Sequence, residues 1–124
     1  MKALSFAVSM GLATAAWAEG PVTVPFDGSF EDATFAVESA IVGEGLVIDY
    51  VSHVGEMLNR TGGDVGSDAM IFQNADIFLF CSAVISRQVM EADPMNITHC
   101  PYGIGHARPQ YCKCEGNVAV RFAN

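Results

Sequence analysis

The feature that most constrains the fold is a continuous apolar run in the middle of the chain, from Ala75 to Ser82, which contains Ile77-Phe-Leu-Phe-Cys81. A short apolar run without polar alternation is typical of a strand that is covered on both faces. Such a strand lies in the interior of a sheet. The run therefore predicts a central strand, and the rest of the chain must supply its neighbours and the layer that covers it.

Helical and strand patterns alternate along the chain on either side of this run. Ser29 and Asp32 have the spacing of a capping box, apolar residues recur at helical spacing as far as Ile41, and Gly43 or Gly45 supplies the stop. The other predicted elements are an edge strand over Pro21–Phe26, a strand over Leu46–Val51, a short helix over His53–Arg60 with Val54, Met57 and Leu58 facing inward, a loop over Thr61–Asp68, a helix over Ala83–Ala92, and strands over Asn96–Ile104 and Val118–Phe122. Two or three helices against one sheet predict a two-layer α+β domain.

The first eighteen residues predict export from the cytoplasm. Lys2 is followed by an apolar stretch that ends in Ala16-Trp17-Ala18, which is the pattern of a secretory signal peptide. We therefore expect a signal peptide over 1–18 and a single domain over 19–124, secreted or periplasmic and free of the membrane after cleavage. An uncleaved membrane anchor is the alternative. Exported proteins meet an oxidising environment, in which disulfides persist.

The charge balance restricts the partners. The chain has fourteen Asp and Glu residues and six Lys and Arg residues, which gives a net charge of −8. An acidic surface repels phosphate backbones, so nucleic acid is not expected as a partner. The remaining expectations are an unidentified ligand or protein partner, including a basic one, and a homodimer formed through an exposed sheet edge or face.

One stretch resembles a known family. From Phe80 to Ile104 the sequence reads Phe-Cys-Ser-Ala-Val-Ile-Ser-Arg-Gln-Val-Met-Glu-Ala-Asp-Pro-Met-Asn-Ile-Thr-His-Cys-Pro-Tyr-Gly-Ile, which is similar to the domain-of-unknown-function 302 family in its exported, cysteine-containing form. The helix and strand from Phe30 to Val51 fit the same pattern. The resemblance implies an antiparallel sheet with helices on one face, similar to half of the TATA-binding protein. It implies no biochemical function, and a shared fold does not transfer DNA binding.

The sequence departs from that family after Ile104. Members of the family continue with an alternating apolar strand and a hairpin, whereas Gly105–Gly116 here contains Pro109 and shows little alternation. This departure weakens the prediction of the penultimate strand.

Four cysteines carry most of the candidate chemistry: Cys81, Cys100, Cys112 and Cys114. Cys81 ends a predicted strand and Cys100 lies in the strand that follows one helix, so neighbouring strands can bring the two within bridging distance. We expect a structural Cys81–Cys100 disulfide, and the alternative is a pair of buried free thiols that act as small core residues.

Cys112-Lys113-Cys114 suggests a different chemistry. Two thiols at alternate strand positions point the same way and form half of a soft-metal site or a strained, easily reduced bridge. Sulfur and imidazole ligands lie near Cys100 as well, namely Met90, Met95 and His99, and His106 precedes the two cysteines. Thioether, thiolate and imidazole together suit copper(I). Core packing of Met90 and an ordinary surface role for His99 are the alternatives.

No catalytic motif accompanies these residues. The chain contains no Gly-x-Ser-x-Gly, no Walker loop and no His-Glu-x-x-His. A thiol nucleophile at Cys100 with His53 as its base is conceivable only through the fold, since His99 points to the other face of a strand. We therefore predict an exported, non-catalytic binding module with a structural disulfide and no cofactor. The alternative is a thiol-redox or copper-handling protein that uses Met95, His99, Cys100, Cys112 and Cys114.

Overall fold

A computed structural model describes residues 22–110 and 118–122, and helices and strands alternate along that part of the chain. The predicted signal peptide, Cys112 and Cys114 lie outside the described residues. In chain order the elements are β1 (Val22–Phe26), α1 (Phe30–Gly43), β2 (Val47–Ser52), α2 (Val54–Thr61), β3 (Phe72–Cys81), α3 (Ala83–Ala92), β4 (Tyr102–Pro109) and β5 (Val118–Phe122). None of these helices is long and apolar enough to cross a bilayer.

The strands form one antiparallel sheet in the order β1-β5-β4-β3-β2. The apolar run predicted as a central strand is β3, an interior strand between β4 and the edge strand β2, and the first strand is an edge strand as expected. Helix α1 joins the two edges and packs across the sheet, with Val37 and Ile41 against Phe78 and Val120. The two-layer α+β architecture predicted from the order of elements is confirmed.

Helix α1 begins and ends where the sequence indicates. The Ser29 side chain accepts a hydrogen bond from the backbone N–H of Asp32, and the Asp32 carboxylate accepts one from the backbone N–H of Ser29, which completes the predicted capping box. The carboxylate also accepts from the Ser29 hydroxyl, and these hydrogen bonds lower the pKa of Asp32. The helix ends at Gly43, two residues before Gly45 adopts a φ of +73°.

Strand β3 is covered more fully on one face than on the other. Phe78 faces α1 and is buried, whereas Ile77 and Leu79 face the opposite side and are only partly buried. The expectation of a strand buried on both faces is therefore wrong. The reason lies in β4, where Gly103 and Gly105 pair with Leu79 and Ile77 and offer no side chains to cover them.

The segment before β4 differs from the prediction. Residues Pro94–His99 form a 3-10 helix in place of the first half of the expected strand over Asn96–Ile104. The Asp93 side chain caps this helix by accepting from the Met95 N–H, and Pro94 fixes its first residue. The strand then runs on to Pro109, through the segment whose weak alternation argued against it. Pairing with β3 on one side and β5 on the other holds it there.

Helix α2 lies beside β3 beyond the end of β2. It spans Val54–Thr61, close to the predicted His53–Arg60, but Gly55 is its buried residue and Met57 is exposed. The expectation that Met57 faces inward is wrong because α2 approaches β3 through a glycine, without a large apolar side chain between them. The loop predicted next contains a 3-10 turn over Gly63–Val65.

Candidate functional site

The structure brings Cys81 and Cys100 together, as the sequence suggested. Cys81 is the last residue of β3, and Cys100 directly precedes Pro101 and β4, which pairs with β3. Both side chains are partly exposed and both are free thiols. The proposed bridge is therefore not formed in this structure, and the disulfide stays a prediction.

Two neighbouring groups, the Asp49 carboxylate and the Ser86 hydroxyl, define the chemistry of this thiol pair. Hydrogen bonding with Cys100, followed by burial and by the Asp49 carboxylate, raises the pKa of Cys81 to about 12. Asp49 occupies the irregularity in β2 between Ile48 and Tyr50, so it is the extra residue opposite β3. On the other side, Ser86 Oγ lies 3.5 Å from the Cys100 sulfur. The two thiols are thus held between a carboxylate and a hydroxyl.

The other predicted ligands are not gathered around this pair. Met95 is 69% exposed and His99 is also exposed, both on the 3-10 helix before Cys100. Over residues 22–110 and 118–122, no group of three or more His, Cys, Asp or Glu side chains could hold a metal ion. Cys112 and Cys114, the remaining metal and redox candidates, lie outside the described residues.

A second site was not predicted from the sequence, and it lies beside the middle of β3. His53 Nδ1 and Asp76 Oδ1 are 2.9 Å apart, with the carboxylate largely covered and the imidazole exposed. The pair forms part of the wall of a cleft of about 540 Å³, which we call the polar cleft. Its lining residues are Phe30, His53, Glu56, Asn59, Arg60, Gln73, Asn74, Ala75 and Asp76.

The distance between the two sites limits their chemistry. Cys81 lies five residues beyond Asp76 on β3, which corresponds to about 16 Å at 3.3 Å per residue. His53 is hydrogen-bonded to Asp76 in the middle of the strand. It is therefore too far away to be the base for the thiols, and the conceivable pairing of His53 with Cys100 is wrong.

Beside the polar cleft, His106 is a core residue. It is 1% exposed and stacks on the rings of Phe30 and Phe78, with centroids 4.6 and 5.4 Å away. The Thr34 hydroxyl donates to the Phe30 carbonyl oxygen, so Thr34 Oγ1 accepts from His106 Nε2–H over 2.8 Å. The neutral ring therefore carries its hydrogen on Nε2. Nδ1 has no hydrogen-bond partner among the described residues.

We expect His106 to make the stability sensitive to acid. Burial lowers the pKa of His106 below its ordinary value of 6.5, against the opposing effect of the Asp76 charge. Near and below about pH 6.5 the unfolded chain takes up a proton that the folded protein does not, so stability is highest above that pH and falls as the pH is lowered towards the folded pKa. Urea unfolding between about pH 7.5 and pH 5 should show a loss of up to about 1.4 kcal/mol per pH unit from this group.

Two variants separate this effect from other titrations. His106→Phe keeps an aromatic ring in the stack but removes the proton site, so the slope between about pH 5 and pH 6.5 should flatten. His99→Gln changes an exposed histidine and should keep the wild-type slope. An unchanged slope in His106→Phe would contradict the assignment to His106.

Comparison with known proteins does not assign a function to either site. No protein-family model matches the chain, and neither a curated protein nor a solved structure does so. The resemblance to the domain-of-unknown-function 302 family therefore stays a prediction, and function has to be argued from the sites themselves.

Proposed function

We propose that this protein is an exported binding module whose non-catalytic ligand site is the polar cleft between α2, β3 and the beginning of α1. The observation that carries the proposal is the His53–Asp76 pair in the wall of a cleft of about 540 Å³. That volume lies within the range of cavities that take small molecules. Export rests on the signal-peptide pattern of the first eighteen residues.

The lining of the cleft favours a small polar ligand. Asp76 and Glu56 supply carboxylate acceptors, Arg60 supplies a cation, and Asn59 and Gln73 supply amides that both donate and accept. Phe30 adds an apolar wall. A few polar groups beside an aromatic surface can orient a small molecule that carries both hydrogen-bond donors and acceptors.

The thiol pair has a separate place in this proposal. A Cys81–Cys100 bridge would tie the end of β3 to the start of β4, across the loop that contains α3. Cys81 and Cys100 lie beside the paired ends of β3 and β4, and an oxidising compartment would favour closing the bridge.

A thermal-shift screen with free amino acids, small sugars and polyols tests the binding role. We expect at least one of these compounds to stabilise the protein, by about 2.7 kcal/mol at a hundredfold excess over its Kd. Asp76→Asn should abolish the shift, because it removes the charge that fixes His53 and faces the ligand. Calorimetric titration then gives the affinity.

The matched control for this screen is Asp64→Asn, which changes an exposed carboxylate outside the polar cleft. It should bind the same compound as the wild type does. The absence of any shift across the three compound classes would count against the proposal, and so would a compound that Asp76→Asn binds with unchanged affinity.

A further inference from the structure

The thiol pair lies in an apolar surface that the core does not use. Val47, which pairs directly with Cys81 across β2 and β3, is 66% exposed. Val84 and Ile85 in the first turn of α3 are 67% and 50% exposed. They directly precede Ser86, the residue in contact with the Cys100 sulfur. Large apolar side chains that face solvent thus lie on the strand and on the helix next to the two partly exposed thiols.

We propose that Cys81 and Cys100 form a thiol–disulfide exchange site whose partner is a polypeptide that carries a disulfide or a pair of thiols. This activity goes beyond ligand binding in the polar cleft and does not depend on it. It makes the Cys81–Cys100 bridge a reversible one, which closes and opens in the folded protein.

The exchange balances without any cofactor. The Cys100 thiolate attacks one sulfur of the partner disulfide, so that a bond to Cys100 forms, the partner's S–S bond breaks, and its other sulfur leaves as a thiolate. Cys81 then loses its proton to solvent and its sulfur attacks Cys100. The Cys81–Cys100 bond forms and the second partner sulfur leaves as a thiolate. Two electrons pass from the pair to the partner, and the reverse sequence oxidises a partner dithiol.

The surroundings assign the order of attack. Hydrogen bonding with Cys100 and burial disfavour a negative charge on Cys81, and the Asp49 carboxylate on that side adds to their effect, so Cys81 stays a thiol. The Ser86 hydroxyl lies on the Cys100 side and can donate to its sulfur. The attacking sulfur is therefore that of Cys100, and Cys81 closes the bridge in the second step. Asp49 acts through Cys81 and is a positioning residue.

The apolar rim selects the class of partner. A polypeptide with apolar side chains next to its cysteine can cover Val47, Val84 and Ile85 while its sulfur reaches Cys100, and the burial of this apolar surface favours binding. Glutathione is small and charged, and it gains little from this surface. We therefore expect the site to prefer apolar polypeptide disulfides over glutathione.

The first experiment asks whether the bridge is reversible in the folded protein. We equilibrate two proteins in glutathione buffers of graded redox ratio: the full chain, and the same chain with Cys112→Ser and Cys114→Ser. Acid stops the exchange, and the free thiols are then alkylated in denaturant. Arg87 lies between the two thiols, so trypsin separates their peptides unless a bridge joins them. We expect a reversible two-electron titration. A pair that never bridges in oxidised glutathione, or a bridge that excess dithiothreitol leaves intact in the folded protein, would overturn the proposal.

The second experiment tests the order of attack and the partner class. At about pH 8 iodoacetamide should label Cys100 at least about tenfold faster than Cys81, and Asp49→Asn should raise the labelling rate of Cys81 about three- to tenfold while Asp64→Asn leaves it unchanged.

A test peptide with Leu and Phe beside its disulfide should exchange at least about tenfold faster than one with Ser and Lys. Val84→Ser should reduce that preference but leave the exchange rate with glutathione unchanged. Equal rates for both peptides, or faster labelling of Cys81 in the wild type, would refute the assignment.

Discussion

Replacing Phe78 by alanine should lower the free energy of unfolding by about 3–5 kcal/mol, which is the usual cost of removing a buried aromatic ring. Phe78 is 3% exposed and lies where α1 crosses the sheet, packed with Val37, Ile41 and Val120. Its ring also stacks on His106. The variant loses the transfer energy of the ring and leaves a cavity between the two layers. Urea unfolding followed by circular dichroism measures the difference.

The matched control for this prediction is another phenylalanine. Phe35 lies on the outer face of α1 and is 72% exposed, so Phe35→Ala should change the free energy of unfolding by less than about 0.5 kcal/mol. Similar losses from Phe35→Ala and Phe78→Ala would mean that the core is not organised around β3. A Phe78→Ala protein that fails to fold at all is consistent with the expected loss, because small domains are only marginally stable.

The parts of the fold that follow from local rules were predictable. The capping box of Ser29 and Asp32 depends on residues three apart, and Ala83–Ala92 is bounded by Ser82 and by Asp93-Pro94. Each of these signals acts within one helical turn, so the sequence alone contains it. The same holds for β3, whose apolar run marks an interior strand of the sheet.

The elements that were mispredicted depend on partners far away in the sequence. Strand β4 has little alternation because Gly103, Gly105 and Ala107 occupy the face opposite α1, and its extension to Pro109 comes from pairing on both sides. The burial of Gly55 in place of Met57 depends on how closely α2 approaches β3. Periodicity within a segment cannot report a neighbour that the segment meets only after folding.

The same distinction divides the two sites. Cysteine chemistry is evident from residue type alone, so the sequence identifies Cys81 and Cys100 as candidates without the structure. Aspartate and histidine are common on protein surfaces, and Asp76 and His53 belong to no sequence motif. The one available signal was a carboxylate inside the apolar run of β3, at a position where a buried charge requires a partner. Only the structure shows that His53 supplies it.

Replacing Gly55 by alanine should have the second largest effect, because this glycine sets the distance between α2 and β3. A Cβ at Gly55 would lie 2.6 Å from the backbone nitrogen of Ala75 and 3.2 Å from the backbone carbonyl carbon of Asn74. Backbone atoms of an interior strand cannot turn aside as a flexible side chain does, so α2 has to move away. We expect a loss of about 1–3 kcal/mol in the free energy of unfolding, as in other overpacked sites. The polar cleft should lose ligand affinity as well, because α2 carries Glu56, Asn59 and Arg60.

Gly43→Ala distinguishes this close approach from the general preference of helices for alanine. Gly43 ends α1, has a negative φ and has nothing within 4 Å of the position of an added Cβ. Its replacement should therefore stabilise the protein by about 0.4–1 kcal/mol by restricting the unfolded chain. The same entropic gain works in favour of Gly55→Ala, so a net loss there is a lower limit for the cost of the steric conflict. If both variants gained stability, α2 would not be held against β3 at the distance that shapes the cleft, and the binding site would have to be redrawn.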